Sequence, residues 1–316
     1  MVNFSSLKKS SADISRLTKE IEKLNGPAEG TKNVDDRYWK PTLDKAGNGF
    51  AVIRFLPAPA VDGDDALPWV RIFSHGFQGP GGKWYIESSL TTLGQKDPVG
   101  ELNSSLWNST EDPNSPARKQ ASSQKRRLQY VSNILVVSDP KNPENEGKVF
   151  LFKYGKKIFN KISEAMHPPY DDQGRTPENP DYNPTNAFSP FNLWTGANLK
   201  LQIKSITMPG ERRAFPNYDS SVWAACGPVM DDDAKLEEIW KSEYSLKELI
   251  SPDKFKSYDE LKARLTDVLG NTEVGKSKTA DIVDDDVPFK AAASRKSVVD
   301  DEDDEDMAYF KKMASE

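Results

Sequence analysis

Cysteine is almost missing: Cys226 stands alone among 316 residues. No intramolecular disulfide can form, which fits a reducing compartment. Histidine is nearly as scarce, with only His75 and His167. His167 precedes Pro168-Pro169 without an evident partner, and neither histidine lies near Cys226 in sequence, so no nucleophile–base pair is nominated. P-loop, dinucleotide-fingerprint and zincin motifs are all lacking. Together these gaps argue against an enzyme. There is no signal peptide and no long apolar run, which predicts a soluble, cytoplasmic chain with no membrane partner. Hydrophobic residues make up 36% and charged residues 29%. That is polar for a chain folded throughout, so part of it is expected to be disordered.

The net charge of -6 is unevenly spread. Residues 271–316 hold 13 acidic and 7 basic side chains, which accounts for all of it, and residues 1–230 are mildly basic. An acidic average therefore says little about local patches.

The informative stretch runs from Lys125 to Met166. Lys125-Arg126-Arg127 leads into Tyr130 and an apolar strand; a Pro/Asn/Gly turn follows. A second strand interleaves Phe150, Phe152 and Tyr154 with Lys148 and Lys153, and a helix opens at Lys156 and Lys157. Cations hold phosphates and rings give bases a face to stack on, which is the requirement for sequence-tolerant single-strand binding. A lone Phe such as Phe150 or Phe152 reads first as core. Tyr130, Tyr154 and Tyr218 are the better candidates for exposed platforms, because a phenol tolerates water at its tip.

Around that stretch, residues 50–56, 69–73 and 83–87 read as strands, the last beginning at Lys83. Residues 88–123 read as loop with a short helix. From Asn198 to Ile206, Leu199, Leu201 and Ile203 alternate with Lys200, Gln202 and Lys204, a half-buried strand with a basic outer face. Residues 167–190 hold six prolines and read as irregular. Arg212, Arg213, Phe215 and Tyr218 form a second basic–aromatic patch, and residues 233–250 and 258–269 read as amphipathic helices. Short strands with a few helices predict an α+β, mainly β fold: a small barrel with additions.

Three parts emerge: an arm over 1–26, a core over 34–270 and a tail over 271–316. The arm carries Leu7-Lys8-Lys9-Ser10-Ser11 before a helical pattern. The tail's acidic runs are expected to stay disordered. Its apolar islands, Val287-Pro288-Phe289 and Met307-Ala308-Tyr309-Phe310, have the form of docking peptides.

The chain resembles the single-stranded-DNA-binding (helix-destabilising) proteins of T-even-type tailed phages. The resemblance rests on Leu43–Gly49 running into Ala51–Pro57, on His75-Gly76-Phe77 and Gly82–Glu87, and on Asn133–Val137 with Pro143–Phe150. Gly155–Ile158, Trp194–Asn198, Asn217-Tyr218-Asp219 and Asp253–Ser257 complete it in the same order. It implies an OB-fold core whose cleft residues match Arg54, Lys125, Arg126, Arg127, Tyr130, Phe152, Phe215 and Tyr218. Lys83, Lys153, Tyr154, Lys156, Lys157, Lys200, Lys204, Arg212 and Arg213 complete the expected nucleic-acid contacts. The segment Leu7, Lys8, Lys9, Ser10, Ser11 looks like the family's motif for cooperative self-association. Phe289, Met307, Tyr309 and Phe310 would dock phage replication and recombination proteins: polymerase, helicase or helicase loader, and recombinase mediator. The setting implied is the cytoplasm of an infected bacterium.

The family core holds a structural zinc through one histidine and three cysteines. Here His75 matches, but Ser89 and Asp97-Pro98-Val99-Gly100 stand where the cysteines belong. The expectation is no zinc and no other cofactor. Two other readings remain from the residues: a single-stranded RNA-binding regulator, or a scaffold acting through its tail.

Overall fold

The computed structural model describes residues 35–207 and 214–270. The self-association segment 7–11, Arg212, Arg213 and the docking residues 289, 307, 309 and 310 lie outside them. Asp35 and Arg37 form a two-pronged ion pair, with Arg37 Nη2 2.8 Å from the carboxylate. The unit from Tyr38 onward carries every described strand and helix.

This unit is α+β, mainly sheet. Among the described residues, nine strands form one open, mixed sheet: β1 (Tyr38–Trp39), β2 (Gly49–Phe55), β3 (Val70–Gln78), β4 (Trp84–Ser88), β5 (Arg127–Ser138), β6 (Val149–Tyr154), β7 (Ala197–Thr207), β8 (Ala214–Asn217) and β9 (Val222–Cys226). The path is β1-β6-β5-β2-β7-β8, with β3 joining β5 to β4 and β9 pairing with β7. Among the described pairings, only β1–β6 is parallel. Five α-helices are added among the described residues: α1 (Pro98–Asn108), α2 (Pro116–Ser123), α3 (Lys156–Met166), α4 (Asp233–Lys241) and α5 (Tyr258–Leu269).

Strand β5 organises the sheet. Its first half pairs with β3, its last residues pair with β2, and β6 lies along the other edge. Residues 130–136 are buried without a break, because both faces are covered. One face meets the main core, with Ile53, Phe55, Ile134, Leu199, Leu201 and the α3 residues Ile158 and Ile162. The other meets Leu246 through Val131 and Leu151, and Leu236 through Leu135. The polar Asn133 is satisfied by a reciprocal pair with the Tyr244 backbone, at 2.9 and 3.0 Å. By contrast, β7 alternates as expected: Leu199, Leu201 and Ile203 are buried, and Lys200 and Lys204 are exposed.

A second core gathers Phe77, Tyr85, Leu90, Val99, Leu261 and Leu265 from β3, β4, the 3-10 turn at Leu90–Leu93, α1 and α5. Both α1 and α2 occupy the stretch expected to be mostly loop. Each begins with a capping side chain followed by proline, Asp97-Pro98 and Ser115-Pro116. The irregular reading of 167–190 holds, since no helix or strand forms there. Residues 233–250 give α4 and then a separate 3-10 turn at Lys247–Ile250 rather than one helix.

Candidate nucleic-acid interface

Directly opposed residues of antiparallel strands share a face. Register therefore lines up Arg71 of β3, Tyr130 of β5 and Tyr154 of β6 in one row. The next positions on that face along β3 are Trp69, just before the strand, and Phe73. Helix α3 closes over the row and lays Phe159 flat on Tyr130, with centroids 3.9 Å apart and planes within 6°. Trp69 meets the same Phe159 edge-on at 5.6 Å. Trp69 and Phe159 are half-buried, so they form the outer edge of the array.

Cations surround this array. Lys125 is exposed just before β5 and the Arg126 guanidinium lies over the Phe73 ring at 4.5 Å, whereas Arg127, also exposed, is on the opposite face from Tyr130, beside Gly76. Lys156 and Lys157 open α3 and are half-buried. Lys157 stands 3.7 Å from the Asp219 carboxylate, and Lys161 donates to the Asp219 carbonyl at 3.1 Å. The Asp219 carboxyl is held below its usual value, first by the hydrogen bond from Asn217 and then, against burial, by the charges of Lys157 and Lys161. Next to it, Tyr218 packs half-buried on the main core, and burial pushes its phenol up. Phe215 is half-buried opposite Ile206 in the β7–β8 hairpin. The structure thus brings Lys125, Arg126, Tyr130 and Tyr154 to one region, and joins Lys157 to Tyr218 through Asp219.

Several expectations are corrected. Tyr130 and Tyr154 are not exposed platforms; they are 6% and 5% accessible, and the Tyr154 hydroxyl is 2.8 Å from Ser132 Oγ. A strand covered on both faces hides its tyrosines. Phe152, 4% accessible, packs edge-on against Trp39 in the core. Arg54 is 1% accessible, and its guanidinium donates to the carbonyls of Asn192 at 2.6 Å and Gly227 at 3.0 Å. It therefore pins the 189–198 and 227 loops rather than facing a phosphate. Lys153 points to the opposite face from Tyr154 and sits 5.4 Å from the Tyr38 ring. Lys83 is bound to Asp267 of α5 at 2.5 Å. Lys200 and Lys204 lie on the outer face of β7, not with the Tyr130 row.

Sequence reasoning missed Trp69, Arg71, Phe73 and Phe159. The signal was there for the first three, which fall at period two in Trp69-Val70-Arg71-Ile72-Phe73.

The positions matching the family's zinc ligands form a closed hydrogen-bond cluster. Asp97 Oδ2 accepts from Ser89 Oγ at 2.9 Å and Leu90 N at 3.1 Å, while Oδ1 accepts from Val99 N at 2.9 Å and Gly100 N at 3.3 Å. His75 Nε2 lies 3.3 Å from Oδ1, and Nδ1 is 2.9 Å from the Gln124 carbonyl. Burial pushes the Asp97 carboxyl up, but the His75, Ser89 and Leu90 hydrogen bonds outweigh it and hold the group below its usual value. This donor set does not fit zinc: it has no thiolate, and the carboxylate's lone pairs are spent on the protein. No cluster of three His, Cys, Asp or Glu side chains that could hold a metal occurs among the described residues. Nor is any described helix long and apolar enough to cross a membrane.

Comparison with known proteins bears on the same region. Residues 47–269 match the model of a family described as gp32 DNA binding protein like. The chain is 38% identical over 280 residues to the Single-stranded DNA-binding protein of Enterobacteria phage T4, covering 86% of this chain and 84% of that protein. It is 37% identical over the same length to the protein of that name from Enterobacteria phage T2. A shorter match, 43% over 81 residues, covers 26% of this chain and 68% of the Single-stranded DNA-binding protein of Escherichia phage SV14.

Proposed function

The chain belongs to the gp32 DNA binding protein like family, and from that premise we propose that a single DNA strand lies along the cations at the head of β5 and the opening of α3. The protein is a single-stranded DNA-binding protein of phage type and not an enzyme. The observation that carries this is the 38% identity to the T4 protein across 86% of the chain. The geometry supports the location, since the Arg126 guanidinium lies over Phe73 on the face that carries the Tyr130–Phe159 stack, with its 3.9 Å ring separation, and Lys125 and Arg127 flank Arg126 in sequence. Phosphates pair with these cations and with Lys156 and Lys157. Bases stack on the half-exposed rings of Phe159, Trp69, Phe215 and Tyr218 rather than on buried Tyr130, Tyr154 or Phe152.

The finer reading follows the resemblance. The core is an OB-fold type scaffold, and the arm at Leu7–Ser11 links neighbours cooperatively. The acidic tail docks replication and recombination proteins of the phage in the infected bacterium and competes with DNA for the cations. The core folds without zinc, held at His75, Ser89 and Asp97 by hydrogen bonds.

Titration of the full chain with poly(dT) and poly(U) across salt concentrations tests this reading. Tight, salt-sensitive binding to poly(dT) with weaker binding to poly(U) is expected. Preference for poly(U) establishes the RNA-binding alternative, and no binding to either polymer overturns the single-strand reading.

A further inference from the structure

Arg71 is exposed on β3, and the described residues give it no ion pair and no side-chain hydrogen bond. A solvated arginine on an edge is ordinary, but three features set this one apart. Register places it directly opposite Tyr130, hence on the face that carries the Phe159 stack. Its same-face neighbours two residues either way are aromatic: Trp69, packed on Phe159, and Phe73, capped by the Arg126 guanidinium. Alternate strand residues lie about 6.7 Å apart, so ring, cation and ring follow one another along β3 at that step. A second cation, Arg126, stands on the same face through its contact with Phe73, while the acidic Asp219 is engaged by Lys157 and Lys161 on α3.

We propose that Arg71 is a phosphate contact and that β3, through Trp69, Arg71 and Phe73, is a second rail of the single-strand interface. The strand's backbone crosses Arg71 while bases lean on the outer rings of Trp69 and the Phe73–Arg126 pair. A planar guanidinium on a ring leaves its own outer face open, so that pair offers a plate to an incoming base. Arg71 is suited to phosphate because its fork is not already spent on a carboxylate, in contrast to Lys83, which Asp267 occupies. No base edge is read, so the contribution is independent of sequence. The inference rests on the single-strand reading above and adds to it a site that the sequence patches at 125–127 and 212–218 do not contain.

The test is the salt dependence of poly(dT) binding by the full chain carrying Arg71→Gln, with Arg71→Lys alongside it and Lys241→Gln on α4 as a control for net charge. Removing one phosphate contact lowers the log–log salt slope by about 0.7, which corresponds to about fivefold weaker binding at 0.1 M salt. Arg71→Lys retains most of the slope, and Lys241→Gln leaves it unchanged. A wild-type slope in Arg71→Gln overturns the β3 rail while leaving the single-strand reading intact; a wild-type chain that does not bind poly(dT) overturns that reading instead. A readout without substitution covers the case of a poorly folded variant: phenylglyoxal modification mapped by mass spectrometry on the wild-type chain. Protection of Arg71 by oligo(dT) supports the contact, and equal modification with and without oligo(dT) excludes it.

Discussion

Arg54 reaches from β2 to the carbonyl oxygen of Asn192, 2.6 Å away, and from the same nitrogen to that of Gly227 at 3.0 Å. A charged group this deeply buried is tolerated only where oxygens replace its water. The loop arrives close because Gly196 has no Cβ; one placed there would sit 2.5 Å from the Asn192 oxygen and 2.9 Å from Arg54 Nη2. Arg54 therefore acts on stability. Arg54→Gln removes both the fork and the charge and is expected to destabilise the fold by about 2–4 kcal/mol in urea unfolding. The salt slope for poly(dT), measured where the variant is still folded, stays at the wild-type value. A lowered slope with unchanged stability would return Arg54 to the interface.

Phe159 is expected to contribute to both stability and binding, being stacked on Tyr130 inside and half-exposed outside. Phe159→Leu keeps much of the volume and removes the ring pair, which is worth about 0.5–1.5 kcal/mol beyond area. Stability should fall by that order. Affinity for poly(dT), measured where both proteins are fully folded, should fall as well. Phe159→Trp should preserve both. Wild-type affinity in Phe159→Leu would remove this ring from the base-stacking surface.

How much of the fold and the interface is legible in the sequence depends on how each element is covered. Strand β7 can be read because one face is wet, so Lys200 and Lys204 alternate with Leu199, Leu201 and Ile203. Strand β5 cannot, because α3 covers one face and Leu246 and Leu236 the other. Its period is hidden, and Tyr130 passes for a surface ring. Arg54 misleads for a related reason: a charge on a strand suggests solvent, whereas here the 189–198 loop supplies the oxygens. The stretch read as loop with one short helix holds two, because Val99, Gly100, Asn103, Ser104 and Ser105 give α1 poor helical preference, and the second core and the Asp97 cap hold it instead. The cap-then-proline pairs at Asp97-Pro98 and Ser115-Pro116 are usable start signals for both helices. Trp69, Arg71 and Phe73 alternate plainly, but only register with Tyr130 shows which face they join.

Glu243 gives the fold a pH dependence. It is buried, neither carboxyl oxygen has a hydrogen-bond partner among the described residues, and burial followed by the nearby Asp62 charge pushes its pKa up to about 9. The folded state therefore holds a proton that the unfolded chain releases near 4.5. Its contribution is full below that value, falls through the window up to about 9 and is lost above it, by at most about 1.4 kcal/mol per pH unit. Glu243→Gln keeps the shape without the titration. Between pH 5.5 and 8.5 the variant should gain on the order of 2–4 kcal/mol relative to wild type, read from urea midpoints. A parallel pH profile for the two proteins would show that Glu243 ionises freely in the fold.

The cluster of His75, Ser89 and Asp97 leads to a prediction about metal. Asp97 caps α1 through Val99 N and Gly100 N, ties that helix to Ser89 and Leu90 at the end of β4, and meets His75 of β3. One carboxylate thus joins the elements around the second core. Asp97→Ala removes the cap, worth about 1 kcal/mol, and leaves the buried Ser89 hydroxyl, Leu90 amide and His75 ring without their acceptor. A total loss of about 3 kcal/mol or more is expected, and Asp97→Asn should recover part of it, since one amide oxygen can still accept. Because the joint is made of hydrogen bonds, dialysis of the wild-type chain against a strong chelator should leave its melting temperature unchanged. Added zinc should not raise that temperature. A drop of several degrees on chelation, or about one zinc per chain in purified protein, would show that His75 still serves a metal here and that Asp97 does not replace it.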